Sequence, residues 1–378
     1  MEKFDFSLLT FYIVNAVLRE LRFISYFSQS KFPHFFFYSK QRIKMLVLEI
    51  EDIKKLISKI GYKEFYLELI KTMEEDYTNW EDFDKCPRVA NHVDGGVIEL
   101  MPVSNDKLYS FKYVNGHPKN PDQNKMTVMA TGQLSVTETG EPLMFTEMTL
   151  LTAFRTAANS ALAAKYLAKK DSSVLALIGT GAQSEFQYLA FSYIFDLKEI
   201  RYYDTDSKAM DKFAKNMAQY DIKITPCKDS YDAVQGADMI TTCTADKRYQ
   251  TVLTEDMLKQ DVFINGIGGD CPGKTEIAKE IVENSTVVVE FLEQAKIEGD
   301  IQQMPDDFTC TEIYEVVRGE KQLNVSTHGT ILFDSIGFAL EDYSVLRLIY
   351  DLAKKNNVGK EMNLIPELND VKNLFSLL

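Results

Sequence analysis

The run Val174-Leu175-Ala176-Leu177-Ile178 leads without a break into Gly179-Thr180-Gly181-Ala182-Gln183-Ser184, and then into a helical pattern. Five apolar residues in succession read as a strand buried on both faces. The G-x-G that follows permits a tight turn at Gly179 and a close backbone approach at Gly181. The helix N-terminus beyond it presents unpaired N–H groups to an anion. Ser184 is small enough for the position where helix packs on strand. A second strand, Ile200–Asp204, ends in an acidic residue 25 positions after Gly179. A carboxylate there hydrogen-bonds a ribose 2′-hydroxyl and repels a 2′-phosphate, and no Arg follows at 205–207. The stretch therefore predicts a dinucleotide site for NAD rather than NADP. The competing reading is an ordinary tight turn with no cofactor.

Working outward, short apolar strands alternate with helices: 174–178, 200–204, 222–224, 239–243, 262–265, 286–290 and 330–334, with helices over about 184–195, 207–219, 230–235 and 274–283. Alternation of this length predicts a parallel sheet with helices on both faces, an α/β fold. Before it the period differs. A strand at 46–50 and helices over 52–59 and 62–78 precede strand-like runs at 96–101, 108–114, 127–136 and 143–148. These imply an α+β part with a largely antiparallel sheet. The Ala- and Leu-rich stretch 150–169 predicts a closely packed helix between the two parts. A long amphipathic helix is expected over 338–355.

The chain has 378 residues, 45% of them hydrophobic, and a net charge of −14. Its 56 carboxylates against 42 cations disfavour a nucleic-acid partner. The charge is uneven. Residues 1–44 hold seven Lys/Arg, three Asp/Glu and 12 of the 44 aromatics, leaving −18 on the other 334 residues. The longest apolar stretch there, Phe6–Leu18, is too short and interrupted for a membrane span, which needs roughly 20 residues. It also lacks the basic start and cleavage site of a secretory signal. Cys86, Cys227, Cys243, Cys271 and Cys310 form no CxxC pair, and only four His are present. Neither a disulfide framework nor a metal centre is expected, and reduced cysteines in a cytoplasmic protein are the default.

Asn265-Gly266-Ile267-Gly268-Gly269-Asp270-Cys271-Pro272-Gly273-Lys274-Thr275-Glu276 follows another strand of the same sheet. Its glycines allow close backbone approach at the carboxyl end of a strand, where open α/β sheets bind ligands. A carboxylate at Asp270 can hold an ammonium or move protons. A Gly-rich turn with a capping Asp is the bland alternative.

NGIGGDCPGKTE, together with LIGTGAQSEFQYLAF, MTLLTAFRTAANSALAAKYLA, SFKYVNGHP, IEGDIQQMP and FDSIGFALEDYSVLR, resembles the ornithine cyclodeaminase/mu-crystallin family from about Met45 to the C-terminus. The resemblance implies a Rossmann-type NAD domain over 159–335. It also implies an α+β substrate-binding and dimerisation domain over 45–158, completed by 336–378, and a homodimer. The family reaction converts L-ornithine to L-proline and ammonia, with tightly held NAD taking a hydride from the α-carbon and returning it.

Carried over by motif, Arg88, Lys112 and Arg155 would hold the substrate α-carboxylate. Asp270 would bind the δ-ammonium and act as acid and base. Glu99 would line the pocket, and Ile336 would touch the aliphatic part of the substrate. Thr127, Arg155, Ala182, Gln183, Asp204, Thr244, Ile264, Asn265, Gly266, Ile267 and Ser335 fall where the family contacts NAD, beside Gly179 and Gly181. Two other readings remain: an NAD-dependent amino-acid dehydrogenase or ketimine reductase, and a non-enzymatic ligand binder. The resemblance does not reach residues 1–44, so translation starting at Met45 is the expectation, with a targeting or membrane-surface segment as the alternative.

Overall fold

A computed structural model describes residues 44–244, 251–259, 261–269 and 271–378. The extension at 1–43 and the expected acid/base residue Asp270 lie outside the described residues.

Strand β1 (Met45–Leu48) is followed by helices α1 (Ile50–Ile60) and α2 (Tyr62–Thr78). Six strands come next: β2 (Asp84–Lys85), β3 (Val89–Val93), β4 (Gly96–Ser104), β5 (Leu108–Gly116), β6 (Val128–Val136) and β7 (Pro142–Glu147). Helix α3 (Thr149–Leu167) leads to β8 (Val174–Ile178), α4 (Ser184–Ser192), β9 (Glu199–Tyr203), α5 (Ser207–Met217), β10 (Lys223–Pro226), α6 (Ser230–Val234), β11 (Met239–Thr242) and β12 (Phe263–Gly266). Then come α7 (Lys279–Asn284), β13 (Thr286–Val289), α8 (Leu292–Ala295), β14 (Thr311–Glu312), α9 (Ile313–Val317), α10 (Val325–His328), β15 (Ile331–Asp334), α11 (Ala339–Asn356) and β16 (Lys360–Met362).

Strands β8 to β15 form one parallel sheet in the order β10-β9-β8-β11-β12-β15-β13-β14. The chain leaves β8 in one direction and returns to β11 on its other side. That reversal opens a crevice at the carboxyl ends of β8 and β11, the place where such sheets bind ligands. The central strands are buried along almost their whole length because both faces are covered.

The other sheet has the order β16-β1-β7-β6-β5-β4-β2, with β3 also on β4. It is antiparallel except where β1 lies parallel to β7. Alternate residues of β4 and β5 point inward: Val97, Glu99, Met101 and Val103, then Ser110, Lys112 and Val114. Glu99 and Lys112 thus break the apolar alternation on the inner face. Helix α3 touches both β6 and β12, so one helix spans the two sheets. Its alanines are buried on several faces, which lets α2, α4 and α11 approach closely.

Two expectations were off. The helix predicted over 274–283 is only α7; residues 274–278 form a loop. The amides of Glu276 and Ile277 donate to Asp300 Oδ1 (2.8 and 2.9 Å), so the first helical turn never forms. The strands β2, β3 and β16 were not anticipated. They are short and mostly exposed, and cross-strand pairing rather than an apolar pattern creates them.

Candidate functional site

The cofactor crevice is built on the turn after β8. Gly179 has φ +101°, and a Cβ there would lie 2.7 Å from the carbonyl oxygen of Cys243, at the end of β11. Only glycine fits between the two strand ends. Its amide donates to Tyr203 O (2.9 Å), and that of Cys243 to Ile178 O (2.8 Å), locking the rim of the crevice. At Gly181 a Cβ would meet open space, so the backbone is approachable there, at the N-terminus of α4. A cleft of about 490 Å³ beside it is lined by Thr180, Gly181, Ala182, Glu185, Phe186 and Lys212, among others.

Asp204 is not idle before a ligand arrives. Its Oδ2 accepts from Thr180 N (2.6 Å) and Thr180 Oγ1 (3.2 Å), and its Oδ1 from Asp206 N (2.9 Å). The carboxylate therefore shapes the glycine turn as well as standing at its edge. Replacing Gly179 with Ala is expected to weaken dinucleotide binding at least ~10-fold, since a side chain at that φ and separation strains the turn by about 1–3 kcal/mol. Titrating the protein with NADH by fluorescence checks this; an unchanged Kd would remove the turn from the site.

The other expected cofactor residues are spread unevenly. Thr244 follows β11 and bonds Glu276 through both its amide (3.0 Å) and its hydroxyl. On β12, the Asn265 amide group is buried and donates to Gln187 (3.3 Å) and Thr241 (3.1 Å), so its side chain staples the sheet. Ile264 faces the core and is fully buried. Gly266 and Ile267 bring the chain to the strand end, where the Ile267 amide donates to Thr242 O (3.0 Å). After β15, Ser335 donates to Glu290. Gln183 sits at the start of α4. Thr127 stands apart, just before β6 of the antiparallel sheet, with its carbonyl accepting from His117 N (2.9 Å).

The three expected carboxylate-binding cations do meet. Arg88, just before β3, reaches across to the carbonyls of Ile336 and Gly337 (2.6 Å each) and pairs with Glu99 (3.2 Å) and Glu298 (3.3 Å). Lys112 of β5 pairs with Asp342 (2.8 Å). Arg155 of α3 pairs with Glu341 and with Asp342 (3.0 Å). Gly337 has φ +75°, and a Cβ there would lie 2.5 Å from the Arg155 guanidinium. Glycine is what lets α3 bring Arg155 against this segment. All three cationic side chains are buried, at 1–6% exposure.

Sequence reasoning found the cations and missed their acidic partners Glu298, Glu341 and Asp342, and the buried Glu290 beside them. The signal was available: Glu341-Asp342 sits in the first turn of a helix otherwise apolar at its start, FALEDYSVL. Glu290, at the end of β13, accepts from Ile336 N (3.1 Å), Gly337 N (3.4 Å) and Asn159 Nδ2 (3.1 Å). Burial raises its pKa. Burial likewise pushes the Glu341 carboxyl up to about 8, against the pull of Arg155. Burial and the neighbouring Arg155 charge hold the Lys112 ammonium down to about 8. With its carboxyl raised to about 8, Glu341 favours the protonated form at neutral pH. The three cations thus lie buried among Glu99, Glu298, Glu341 and Asp342.

The profile of the ornithine cyclodeaminase/mu-crystallin family matches residues 51–357. An ornithine cyclodeaminase of Agrobacterium fabrum (strain C58) is 46% identical over 331 residues, covering 88% of this chain and 94% of that protein. Among solved structures, an archaeal alanine dehydrogenase dimer with bound NAD is 32% identical with a TM-score of 0.78, covering 85% of this chain and all of that one. A lysine cyclodeaminase, in a structure described as the basis for recognising L-lysine, L-ornithine and L-2,4-diaminobutyric acid, is 26% identical. Its TM-score is 0.82, over 89% of this chain and all of that one.

Proposed function

This chain belongs to the ornithine cyclodeaminase/mu-crystallin family, and on that basis we propose that it converts L-ornithine to L-proline and ammonia, with NAD held throughout. The observation that carries this reading is the buried meeting of Arg88, Lys112 and Arg155 at Ile336–Gly337, with its acidic partners, beside the carboxyl end of the parallel sheet. The open backbone at Gly181, the N-terminus of α4 and Asp204 fit a dinucleotide pyrophosphate and ribose. When bound, NAD supplies a transient hydride acceptor at the substrate α-carbon.

The protein groups do the rest. Arg88, Lys112 and Arg155 bind the α-carboxylate by charge-assisted hydrogen bonds and so orient the α-carbon. Asp270 takes the proton of the δ-ammonium, whose reference pKa is about 10.4, so that the free amine can attack the α-carbon. Glu99, buried beside Arg88, lines the same pocket, and Ile336 covers the methylene chain.

We assign substrate binding to residues 45–158 with 336–378, and cofactor binding to 159–335. Pairing of β16 with β1 and packing of α11 on α2 and β5 support the return of the C-terminal part to the first sheet. The outer face of that sheet carries Leu100, Tyr109 and Tyr113 at 38–44% exposure, an apolar surface suited to a second copy of the chain. A homodimer follows. Among the described residues no helix is long and apolar enough to cross a membrane. A cytoplasmic location rests on the cysteine spacing alone.

The test is stoichiometric. With ornithine and NAD well below the substrate concentration, proline and ammonia are expected in many-fold excess over NAD, without net NADH. NADH accumulating one for one with consumed amino acid would instead favour the dehydrogenase or ketimine-reductase reading. NAD binding without turnover would favour a ligand binder.

A further inference from the structure

The segment 335–337 carries no charge of its own, yet it lies between two of the cations. It leaves the carboxyl end of β15 and leads into α11. Its carbonyls serve Arg88: those of Ile336 and Gly337 each accept from the guanidinium (2.6 Å). Gly337 O also accepts from Gln294 Nε2 (2.9 Å), and Gln294 Oε1 accepts from Arg88 N (3.0 Å). Side chain and backbone of Arg88 are thus both referred to Gly337. On its other side Gly337 lies against the Arg155 guanidinium. A shift of this segment therefore changes the spacing between Arg88 and Arg155.

Ile336 and Gly337 belong to neither strand nor helix, so their buried amides need acceptors from elsewhere. Glu290 supplies them. It follows β13, the neighbour of β15 in the sheet, and is fully buried. Its Oε2 accepts from Ile336 N (3.1 Å), and its Oε1 from Gly337 N (3.4 Å) and from the Ser335 hydroxyl. A further donor, Asn159 Nδ2 (3.1 Å), comes from α3 one turn beyond Arg155. The same amide group donates to Glu341 (3.0 Å), the acid that pairs with Arg155. One carboxylate thus ties the segment 335–337 to the parallel sheet and to the helix that carries Arg155. All of these donors are neutral groups, so Glu290 acts on Arg88 through the chain it holds.

We propose that Glu290 is a positioning residue for substrate binding: it fixes the segment 335–337 so that Arg88 stands at the spacing from Arg155 that the substrate α-carboxylate requires. The inference rests on the proposed reading of Arg88 and Arg155 as carboxylate-binding groups. A misplaced binding group weakens the ground state and the transition state alike, which raises KM more than it lowers kcat.

The experiment uses Glu290→Gln and Glu290→Asp in the full chain, each alone and combined with Arg88→Lys. It reads kcat and KM for ornithine, the ornithine Kd by calorimetry, the NAD Kd and the melting temperature. Glutamine keeps the volume, but its NH₂ group faces an amide donor whichever oxygen it replaces. Glu290→Gln is expected to raise KM at least ~5-fold, with kcat falling by a smaller factor. The NAD Kd should stay within about threefold, since Gly179 and Asp204 lie on other elements. Glu290→Asp keeps the charge on a shorter arm and should raise KM at least ~2-fold; it carries the test if the glutamine variant does not fold. Arg88→Lys removes the guanidinium from the Ile336 and Gly337 carbonyls. In that background Glu290→Gln should raise KM by a smaller factor than in the parent, because both changes act on one contact. A smaller rise than expected in the folded variant, or an equal or larger factor in the Arg88→Lys background, overturns the proposal. A merely structural role would lower the melting temperature and leave KM and this coupling unmoved. If the parent binds ornithine but makes no proline, the cyclodeaminase reading fails and the same comparisons are decided by the ornithine Kd. A parent that neither binds nor converts ornithine overturns both.

Discussion

Asp270→Asn is expected to lower the rate of proline formation by about 10³-fold while the protein still folds and binds NAD. The δ-amine of ornithine is an ammonium at neutral pH, and an ammonium has no lone pair for attack. Something must take its proton when the α-carbon has become electrophilic, and later give one to the departing ammonia. Asparagine keeps the volume and can hydrogen-bond, but it cannot accept a proton at neutral pH. The flanking chain is tied down through Gly269 O on one side and Cys271 O and Gly273 N on the other. The loss should therefore fall on kcat. Steady-state kinetics with NADH titration checks this. A variant within tenfold of the parent rate would mean that another group moves the proton.

Arg155→Met is expected to be the most damaging change in the cation cluster, in both stability and substrate affinity. Arg155 is buried, pairs with Glu341 and Asp342, and sits against Gly337. Methionine fills much of the space but leaves two buried carboxyls facing no guanidinium. Breaking a buried pair in this way costs about 3–5 kcal/mol. KM for ornithine should rise roughly 10²-fold, since one of three partners of the α-carboxylate is gone.

The pH dependence gives a sharper signature. Without Arg155, whose charge pulls it down, the Glu341 carboxyl, already pushed up to about 8, rises further. A carboxyl whose folded pKa lies above its unfolded value binds more protons in the folded state. Its contribution is present at low pH and is lost as pH rises from the unfolded value, near 4.5, through the folded one. The difference in melting temperature should thus be constant below about pH 7 and widen as pH rises past about 8. A pH-independent difference would show that the lost packing, and not the bared carboxyls, dominates.

How much of this was legible beforehand differs from one part of the chain to another. The parallel sheet was, because strands such as Val174–Ile178 and the stretch Ile331–Phe333 are buried on both faces and carry an uninterrupted apolar run. Strands β2, β3 and β16 were not, because their few residues are exposed and exist as strands only through their neighbours. The false helix over 274–278 had plausible composition, and only the carboxylate of Asp300, more than twenty residues away, withdrew its amides from helical bonding. In the site, Gly179 announced itself by its neighbours in sequence, and the cations by the motifs around them. That Asp204 braces Thr180, and that Arg88, Lys112 and Arg155 are each answered by an acid, could not be read from those motifs. Arg155 and Glu341 are 186 positions apart, and Arg88 lies 248 from Ile336.

The amino-acid sequence by itself determined the alternation that makes a doubly wound sheet, the glycine turn at its switch point, and the chemical types available there. Those depend on local periodicity and on residues adjacent in the chain. Only the tertiary structure decided which charges are buried together, which carboxyls burial pushes up, and how residues 271–277 are held by 299–303. Each of these is set by burial and by partners brought from distant segments, and local pattern carries no record of either.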